Sequence, residues 1–206
     1  MPRLRPALLA ASALLALAAA PAHAQPRGLT AQDLVSLDRV GDPHVSPDGR
    51  TVVYDLRATD LQANKGVHSL WLVGVGGGGA PVMQPGSQGA TSPRWGRDGK
   101  LYYLKDGQVW RATPGGADAL QVTALPLDVD TFRLSPDGTR IVVSMAVFPD
   151  AEDPAATKAR EDARKADKSS GRIYDKLFVR HWDTWADGTR NHLFSVRLGA
   201  DGRAAG

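Results

Sequence analysis

A tight turn of the form Ser/Gly-Pro/Arg-Asp-Gly occurs three times in this chain, and each copy is followed by a run of residues with strong β propensity. Aspartate can hydrogen-bond its own backbone and glycine accepts a positive φ, so each copy predicts a turn between two strands. An internal repeat constrains the architecture more than a single motif does, because repeated units must stack to bury a core. The copies and their strands are residues 46–50 with 51–54, 95–100 with 101–104, and 135–140 with 141–144.

A second element repeats in the same order as the turns. It is a strand with a central aromatic residue before a glycine-rich turn, at 68–73, 107–112 and 191–196. The turn aspartates are Asp48, Asp98 and Asp137, and their spacing suits a four-stranded blade with loops of variable length. The pattern predicts an all-β fold, an incomplete β-propeller of about three to four blades. A β-sandwich with coincidental turns is the alternative.

The first 24 residues have the features of an export signal. Two arginines precede a 14-residue run, 7–20, that is apolar except for Ser12, and an Ala-x-Ala site ends at Ala24. The run is shorter than the roughly 20 apolar residues that a transmembrane helix needs. We expect a signal peptide at 1–24, a periplasmic or secreted protein, and no stable membrane insertion after cleavage. An uncleaved membrane anchor is the alternative.

The charge balance gives no indication of a nucleic-acid partner. Of the 25 basic and 22 acidic residues, the first 24 positions hold two arginines and no acid, which leaves 23 against 22. A nucleic-acid-binding domain would need a strongly basic face. The sequence contains no cysteine, which excludes disulfides, thiolate metal sites and lipid attachment to a cysteine within it.

Motifs for a catalytic centre are missing from the sequence. The stretch closest to a Gly-x-Ser-x-Gly nucleophile motif, residues 86–89, lacks the required spacing. No two histidines lie four positions apart, as a helical zinc pair would need, and no Gly-Lys-Ser/Thr follows the glycine run at 76–79. We therefore assign no catalytic residue, no metal ligand and no cofactor.

Two segments interrupt or precede the repeats. Residues 25–41 form a leader with a short predicted helix that Thr30 can cap. Residues 149–171 are rich in alanine and charge, and Asp153-Pro154 is a favourable helix start. This charged insert in the third blade is predicted to be a solvated helix or a disordered arm.

The densest group of aromatic and charged side chains lies at 172–185. Aromatic residues and arginine supply large contact areas at recognition surfaces. The candidate substrate-binding residues are Arg180, His181, Trp182, Asp183 and Trp185. Two structural alternatives remain for the segment. Its aromatic residues recur at intervals of four, four and three, as on a helical face, or its tryptophans pack as a strand between blades.

Several of these features together resemble the N-terminal part of bacterial secreted prolyl oligopeptidase-family serine peptidases. They are the signal peptide, the leader 29–34, the Ser-Pro-Asp-Gly strands, and Arg-His-Trp-Asp-Thr-Trp at 180–185 after the insert. The resemblance is greatest to the dipeptidyl-peptidase and acylaminoacyl-peptidase branch. Some dipeptidyl peptidases fix the substrate amino terminus with adjacent propeller glutamates. Here Glu152 and Glu161 are the only glutamates and lie apart, so such a pair is not expected.

The resemblance implies that a partial propeller at 25–206 limits access to a catalytic α/β-hydrolase domain that this chain lacks. The chain alone should then be inactive, and its parent should hydrolyse short peptide substrates. A non-enzymatic periplasmic propeller of the Tol-system type, which binds other proteins, is the second hypothesis. A structural fragment without activity is the third. The sequence leaves the oligomeric state open.

Overall fold

The computed structural model describes residues 27–77, 79–169, 171, 173–175 and 177–205. The predicted signal peptide lies outside the described residues. In the leader, helix α1 (Ala31–Ser36) begins at the predicted Thr30 cap, and the cap is reciprocal. The Asp33 backbone N–H donates to Thr30 Oγ1 (3.2 Å), and the Thr30 N–H donates to the Asp33 carboxylate (2.8 Å).

The described chain after this helix contains three four-stranded antiparallel sheets, each connected in the order expected of a propeller blade. Blade 1 contains β1 (Arg39–Val45), β2 (Thr51–Asp60), β3 (Lys65–Gly74) and β4 (Val82–Met83). Blade 2 contains β5 (Thr91–Trp95), β6 (Leu101–Lys105), β7 (Gln108–Ala112) and β8 (Leu120–Gln121). These sheets confirm the predicted all-β, incomplete β-propeller.

Blade 3 has the same order but carries the insert between its second and third strands. Its strands are β9 (Thr131–Leu134), β10 (Arg140–Val147), β13 (Arg190–Leu198) and β14 (Ala204–Ala205). The insert contains helix α2 (Pro154–Ala166) and a two-stranded hairpin, β11 (Arg180–His181) with β12 (Thr184–Trp185).

The Asp-Gly turns join the first and second strands of each blade, and their chemistry repeats with the sequence. In blades 1 and 3 the serine hydroxyl donates to the turn aspartate at 2.5 Å, from Ser46 to Asp48 and from Ser135 to Asp137. The same hydroxyl accepts from the backbone N–H that opens the next strand, at 2.9 Å in both blades. The turn thus satisfies its own polar groups, which explains why a local sequence motif is sufficient to specify it.

Blade 2 replaces the serine with Gly96, and a tyrosine takes over the contact with the aspartate. The Tyr102 hydroxyl donates to Asp98 Oδ2 at 3.1 Å. A side chain at Gly96 would meet Asp98 Oδ1 at 2.3 Å and the Tyr102 ring at 2.5 Å. A Cβ at this position would therefore force the Asp98 carboxylate and the Tyr102 ring to move.

The turn aspartates predict a pH dependence of stability. Hydrogen bonds from the Ser135 hydroxyl and from Thr139 lower the pKa of Asp137 to about 2. A carboxyl whose pKa falls on folding stabilises above its unfolded pKa of about 3.9, and the contribution is lost as the pH falls through the folded pKa. We expect the stability difference between the wild type and Asp137→Asn, measured by urea unfolding, to shrink from pH 4 to pH 2. A difference that stays constant over that range would contradict this assignment.

Two apolar clusters hold neighbouring blades together. Val53, Leu70 and Leu72 of blade 1 pack against Leu101 and Tyr103 of blade 2. The larger cluster joins blades 2 and 3, and its buried members are Tyr102, Leu104, Val109, Val122, Leu127, Val129, Phe132, Ile141, Val143, Met145 and Val147. The hydrophobic core of the chain therefore lies between sheets, and each blade is stabilised through its neighbour.

In blades 1 and 2, the same face carries an aromatic pair across the second and third strands. Tyr54 lies opposite Trp71 in blade 1, and Tyr103 lies opposite Trp110 in blade 2. Tyr103 is completely buried against blade 1, whereas Tyr54 is half-buried. The repeat thus places equivalent side chains in two different environments, which allows a matched test of inter-blade packing.

Candidate functional site

Helix α2 confirms the predicted helix in the charged insert and begins where the sequence indicates. Asp153 is the N-cap residue, and its side chain accepts from the Ala156 backbone N–H at 2.7 Å. Pro154 occupies the first helical turn, where the missing N–H costs no hydrogen bond. The described part of the insert is therefore a helix at 154–166 and not a disordered arm along that stretch.

One face of α2 is fixed to blade 3 through Phe148, which is buried. The Arg160 and Arg164 guanidiniums lie 4.4 and 4.5 Å from the centroid of the Phe148 ring. Arg160 also forms a bidentate contact with Asp150, in which its two terminal nitrogens donate to the two carboxylate oxygens at 2.9 Å each. Thr157 is fully buried, and its hydroxyl accepts from the Phe148 backbone N–H. Two arginines of the charged insert thus help to hold the helix against blade 3.

The five candidate residues lie together on the β11–β12 hairpin. Arg180, His181, Trp182 and Asp183 are exposed, and Trp185 is 50% exposed. The hairpin is neither a helical face nor a strand buried between blades, so both structural alternatives for this segment are wrong. The aromatic period does not reveal this, because the two-residue turn at 182–183 pairs Arg180 with Trp185, five positions on, and His181 with Thr184, three positions on.

Aromatic contacts organise the hairpin around Trp185. The Tyr174 ring stacks on Trp185 with centroids 6.0 Å apart and an interplanar angle of 25°. The Arg180 guanidinium lies 5.1 Å from the centroid of the same indole. Trp182 at the turn meets the His181 ring edge-on at 6.3 Å. Tyr174 was not among the sequence candidates, although the regular aromatic spacing of the segment included it.

Trp182 has an unusual backbone conformation for a bulky residue. Its φ is +54°, in the left-handed region, and its side chain is 85% exposed. Such positions favour glycine or asparagine, and strained residues concentrate at functional sites. We expect Trp182→Gly to keep or raise the midpoint of thermal unfolding, because it removes strain without uncovering a core. The matched control Trp185→Gly should lower the midpoint, and the opposite ranking would contradict the observed hairpin contacts.

Two of the described histidines have charged side chains as hydrogen-bond partners, and neither is bonded to a serine hydroxyl. His68 Nδ1 lies 2.8 Å from Asp55, and His44 Nε2 lies 2.9 Å from Asp42 and 2.8 Å from Arg94. Among the residues that the structure describes, no cluster of three or more His, Asp or Glu side chains could hold a metal ion. The described region also contains no helix that is long and apolar enough to cross a membrane.

Comparisons with known proteins agree with the fold. Residues 29–150 match the family model described as the lipoprotein LpqB beta-propeller domain. Dipeptidyl-peptidase 5 of Porphyromonas endodontalis is 32% identical over 175 residues, which cover 82% of this chain and 24% of that protein. The chain thus spans about a quarter of this curated relative. This match confirms the resemblance to the dipeptidyl-peptidase branch that the sequence predicted.

Two solved peptidase structures share this fold. The acylaminoacyl peptidase of Pyrococcus horikoshii superposes with a TM-score of 0.57 at 16% identity, over 80% of this chain and 24% of that one. The AtxE2 isopeptidase superposes with a TM-score of 0.58 at 23% identity, over 88% of this chain and 32% of that one. At these identities the superpositions establish the shared propeller fold.

Proposed function

Because the chain belongs to the family described as the lipoprotein LpqB beta-propeller domain, we propose that it is the propeller part of a secreted serine peptidase that hydrolyses short peptides. The observation that carries the proposal is the 32% identity to a dipeptidyl-peptidase over most of the chain. In this proposal, residues 1–24 are a signal peptide, 25–206 belong to the propeller, and a hydrolase domain elsewhere in the parent supplies the catalytic residues.

The propeller would act as a filter that admits peptides and excludes folded proteins. All three blades have the same strand order, so the connections between their second and third strands lie on one face of the propeller. The 61–64 and 106–107 turns and the whole blade 3 insert therefore extend the same face. An insert that carries exposed aromatic residues at this position is suited to meet a substrate before it reaches the catalytic domain.

The hairpin supplies the proposed peptide contacts. Arg180, Trp182 and Trp185 combine a fixed cation with large aromatic surfaces, the side chains that contribute most at recognition sites. His181 and Asp183 add a hydrogen-bonding group and a negative charge beside them. These residues would contact substrate but would take no part in bond breaking.

The proposal is tested by comparing the complete gene product with residues 25–206 in chromogenic dipeptide and acyl-amino-acid assays. We expect the complete product to hydrolyse short substrates, to lose activity with a serine-directed inhibitor, and to leave a folded protein intact. Residues 25–206 should show no turnover. A folded complete product that hydrolyses none of these substrates would overturn the proposal, as would turnover by the purified propeller alone.

A variant of the complete product tests the hairpin separately. Trp182→Ala should raise KM several-fold with little change in kcat, because it removes substrate contact and not chemistry. His192→Ala, at an exposed position of β13 outside the hairpin, is the matched control. The comparisons do not favour the Tol-type binding module, and hydrolysis by the complete product would exclude that hypothesis.

A further inference from the structure

The first strands of the three blades carry a basic residue at the same repeated position. His44 of β1, Arg94 of β5 and Arg133 of β9 each lie two positions before the first residue of the turn that leads into the second strand. The strand pairing agrees with this alignment, because the three residues lie opposite matching positions of the second strands, Val53, Tyr102 and Val142. The repeat thus places three basic side chains at one level of the propeller.

The first strands of blades 1 and 2 meet through side-chain contacts. The Arg94 guanidinium donates from Nη1 to Asp42 Oδ2 at 2.6 Å and lies 2.8 Å from His44 Nε2. The Trp95 indole N–H donates to the His44 carbonyl oxygen at 3.0 Å. Blades of a propeller surround a central channel, so the sheet edges that meet directly in this way lie along it. Arg94 therefore has a carboxylate partner that the propeller itself supplies.

The carboxylate that Arg94 binds is presented by a β-bulge, and blade 2 repeats that bulge. The strand register shifts between positions 41 and 44 of β1 and between positions 91 and 94 of β5. The bulge residues Asp42 and Ser92 have φ values of +47° and +54°, in the left-handed region. Ser92 therefore holds the position of Asp42 but offers a shorter, neutral hydroxyl in place of the carboxylate. That hydroxyl has no hydrogen-bond partner within the part of the chain that the structure describes.

Arg133 repeats the conformation of Arg94. Nη1 of each guanidinium donates to the carbonyl oxygen of the preceding residue, at 2.6 Å in Arg94 and at 2.9 Å in Arg133. Arg133 is exposed and forms no ion pair with the residues that the structure describes. Asp130, the closest acidic residue in the sequence, accepts from Asn191 Nδ2 at 3.2 Å. The positive charge of Arg133 therefore lacks the kind of partner that Asp42 provides for Arg94.

We propose that the first strands of blades 2 and 3 bind the carboxylate of a ligand, with Arg133 as the cation and the Ser92 hydroxyl as a second donor. Asp42 on Arg94 is the internal model for this contact, because the same bulge and the same arginine conformation hold a carboxylate between blades 1 and 2. Hydrogen bonds from a guanidinium to a carboxylate are short and strong, whereas a neutral amide would leave the charge uncompensated. The ligand class is therefore a carboxylate, from a peptide terminus or from an acidic side chain.

Direct binding to this chain tests the site and needs no catalytic activity. The probes are acetyl-Ala-Ala-Ala with a free carboxyl terminus, acetyl-Ala-Asp-Ala-amide, and the neutral acetyl-Ala-Ala-Ala-amide, titrated by calorimetry. At low salt we expect saturable binding of a carboxylate peptide and about ten-fold weaker binding of the neutral one. The tighter of the two carboxylate peptides identifies the source of the carboxylate. Absence of saturable binding by both would overturn the inference.

Two arginine variants assign the binding to the repeated position. Arg133→Gln should weaken binding of the carboxylate peptide about five-fold or more. Arg197→Gln removes the same charge from an exposed position of β13, the third strand of blade 3, and should leave binding unchanged. Circular dichroism establishes that each variant is folded. Equal affinity in the wild type and in folded Arg133→Gln, or an equal loss in both variants, would contradict the proposed site.

Ser92→Asp tests the internal model without a ligand. Aspartate tolerates a positive φ, as Asp42 shows, so the variant should place a carboxylate on Arg133. We expect it to raise the midpoint of thermal unfolding by about 2 °C and to abolish binding of the carboxylate peptides. Ser92→Asn has the same shape without the charge and should not raise the midpoint, and the gain should vanish in an Arg133→Gln background. Equal midpoints in the Asp and Asn variants, or peptide binding that persists in Ser92→Asp, would refute the site.

Failure of the proposed function is distinguishable from failure of this inference, since the site consists of residues of this chain alone. Carboxylate binding by this chain together with an inactive complete product would support the site and refute the peptidase. An active complete product whose propeller binds no carboxylate would refute the site alone. In the proposed peptidase the site would favour acidic peptides in the channel, and only that consequence rests on the proposed function.

Discussion

Tyr103→Ala is expected to lower the free energy of unfolding by about 3–5 kcal/mol, the cost of removing a buried aromatic ring from a packed core. Tyr103 is completely buried where blade 2 packs on Val53, Leu70 and Leu72 of blade 1. Burial also raises the pKa of its hydroxyl, and this hydroxyl has no hydrogen-bond partner among the described residues. The predicted loss therefore comes from ring packing between blades.

The repeat supplies the control for this experiment. Tyr54 holds the equivalent position opposite a tryptophan in blade 1, but it is only half-buried. Tyr54→Ala should cost about 1 kcal/mol, since less apolar surface is returned to water. Urea unfolding of both variants, followed by circular dichroism, gives the two values. Equal losses would show that the blades do not stack as described.

The second large effect is expected at Gln84, a fully buried amide between blades 1 and 2. Its Oε1 accepts from the Gly115 N–H at 2.8 Å, and its Nε2 donates to the carbonyl oxygens of Gly116 at 2.8 Å and Thr113 at 3.3 Å. Gln84→Ala would remove the partner of the Gly115 N–H and of the Gly116 carbonyl, whereas the Thr113 carbonyl would still accept from the Gly116 N–H at 2.8 Å. Loss of these part-buried hydrogen bonds together with a fully buried side chain should cost about 2–3 kcal/mol.

Gln88→Ala is the matched control, because Gln88 is an exposed glutamine of the same segment between blades. Its removal should change the free energy of unfolding by less than about 0.5 kcal/mol. Urea unfolding at neutral pH compares the two alanine variants with the wild type. If Gln84→Ala were as mild as Gln88→Ala, the 113–116 turn would not depend on this amide, and the described link between the blades would be incorrect.

The propeller could be predicted from sequence because its specification is local. The Ser-Pro-Asp-Gly turns satisfy their own polar groups, and the aromatic strands recur in fixed order, so neither signal requires knowledge of distant contacts. The start of α2 was predictable for the same reason, since Asp153 and Pro154 form a cap within one turn. The replacement of serine by Gly96 in blade 2 is explained only by the position of Tyr102 in the structure.

The sequence located the candidate site in one segment, but it did not predict the conformation of that segment. The aromatic spacing in 172–185 fits a helix as well as a hairpin, and sequence period alone cannot distinguish them. A groove of about 640 Å³ beside the hairpin could not be predicted, because its walls come from α2, from the described residues of 171–178 and from the return to β13. Likewise, the packing of Arg160 and Arg164 on Phe148 depends on how the helix folds back over blade 3.

The claim that this propeller serves a serine peptidase is tested most directly by the genomic sequence downstream of the Gly206 codon. We predict an uninterrupted reading frame that continues through further blade repeats and reaches a Gly-x-Ser-x-Gly motif several hundred codons later. A stop codon directly after Gly206 in intact genomic DNA, or a frame that ends after additional blades without that motif, would contradict the claim.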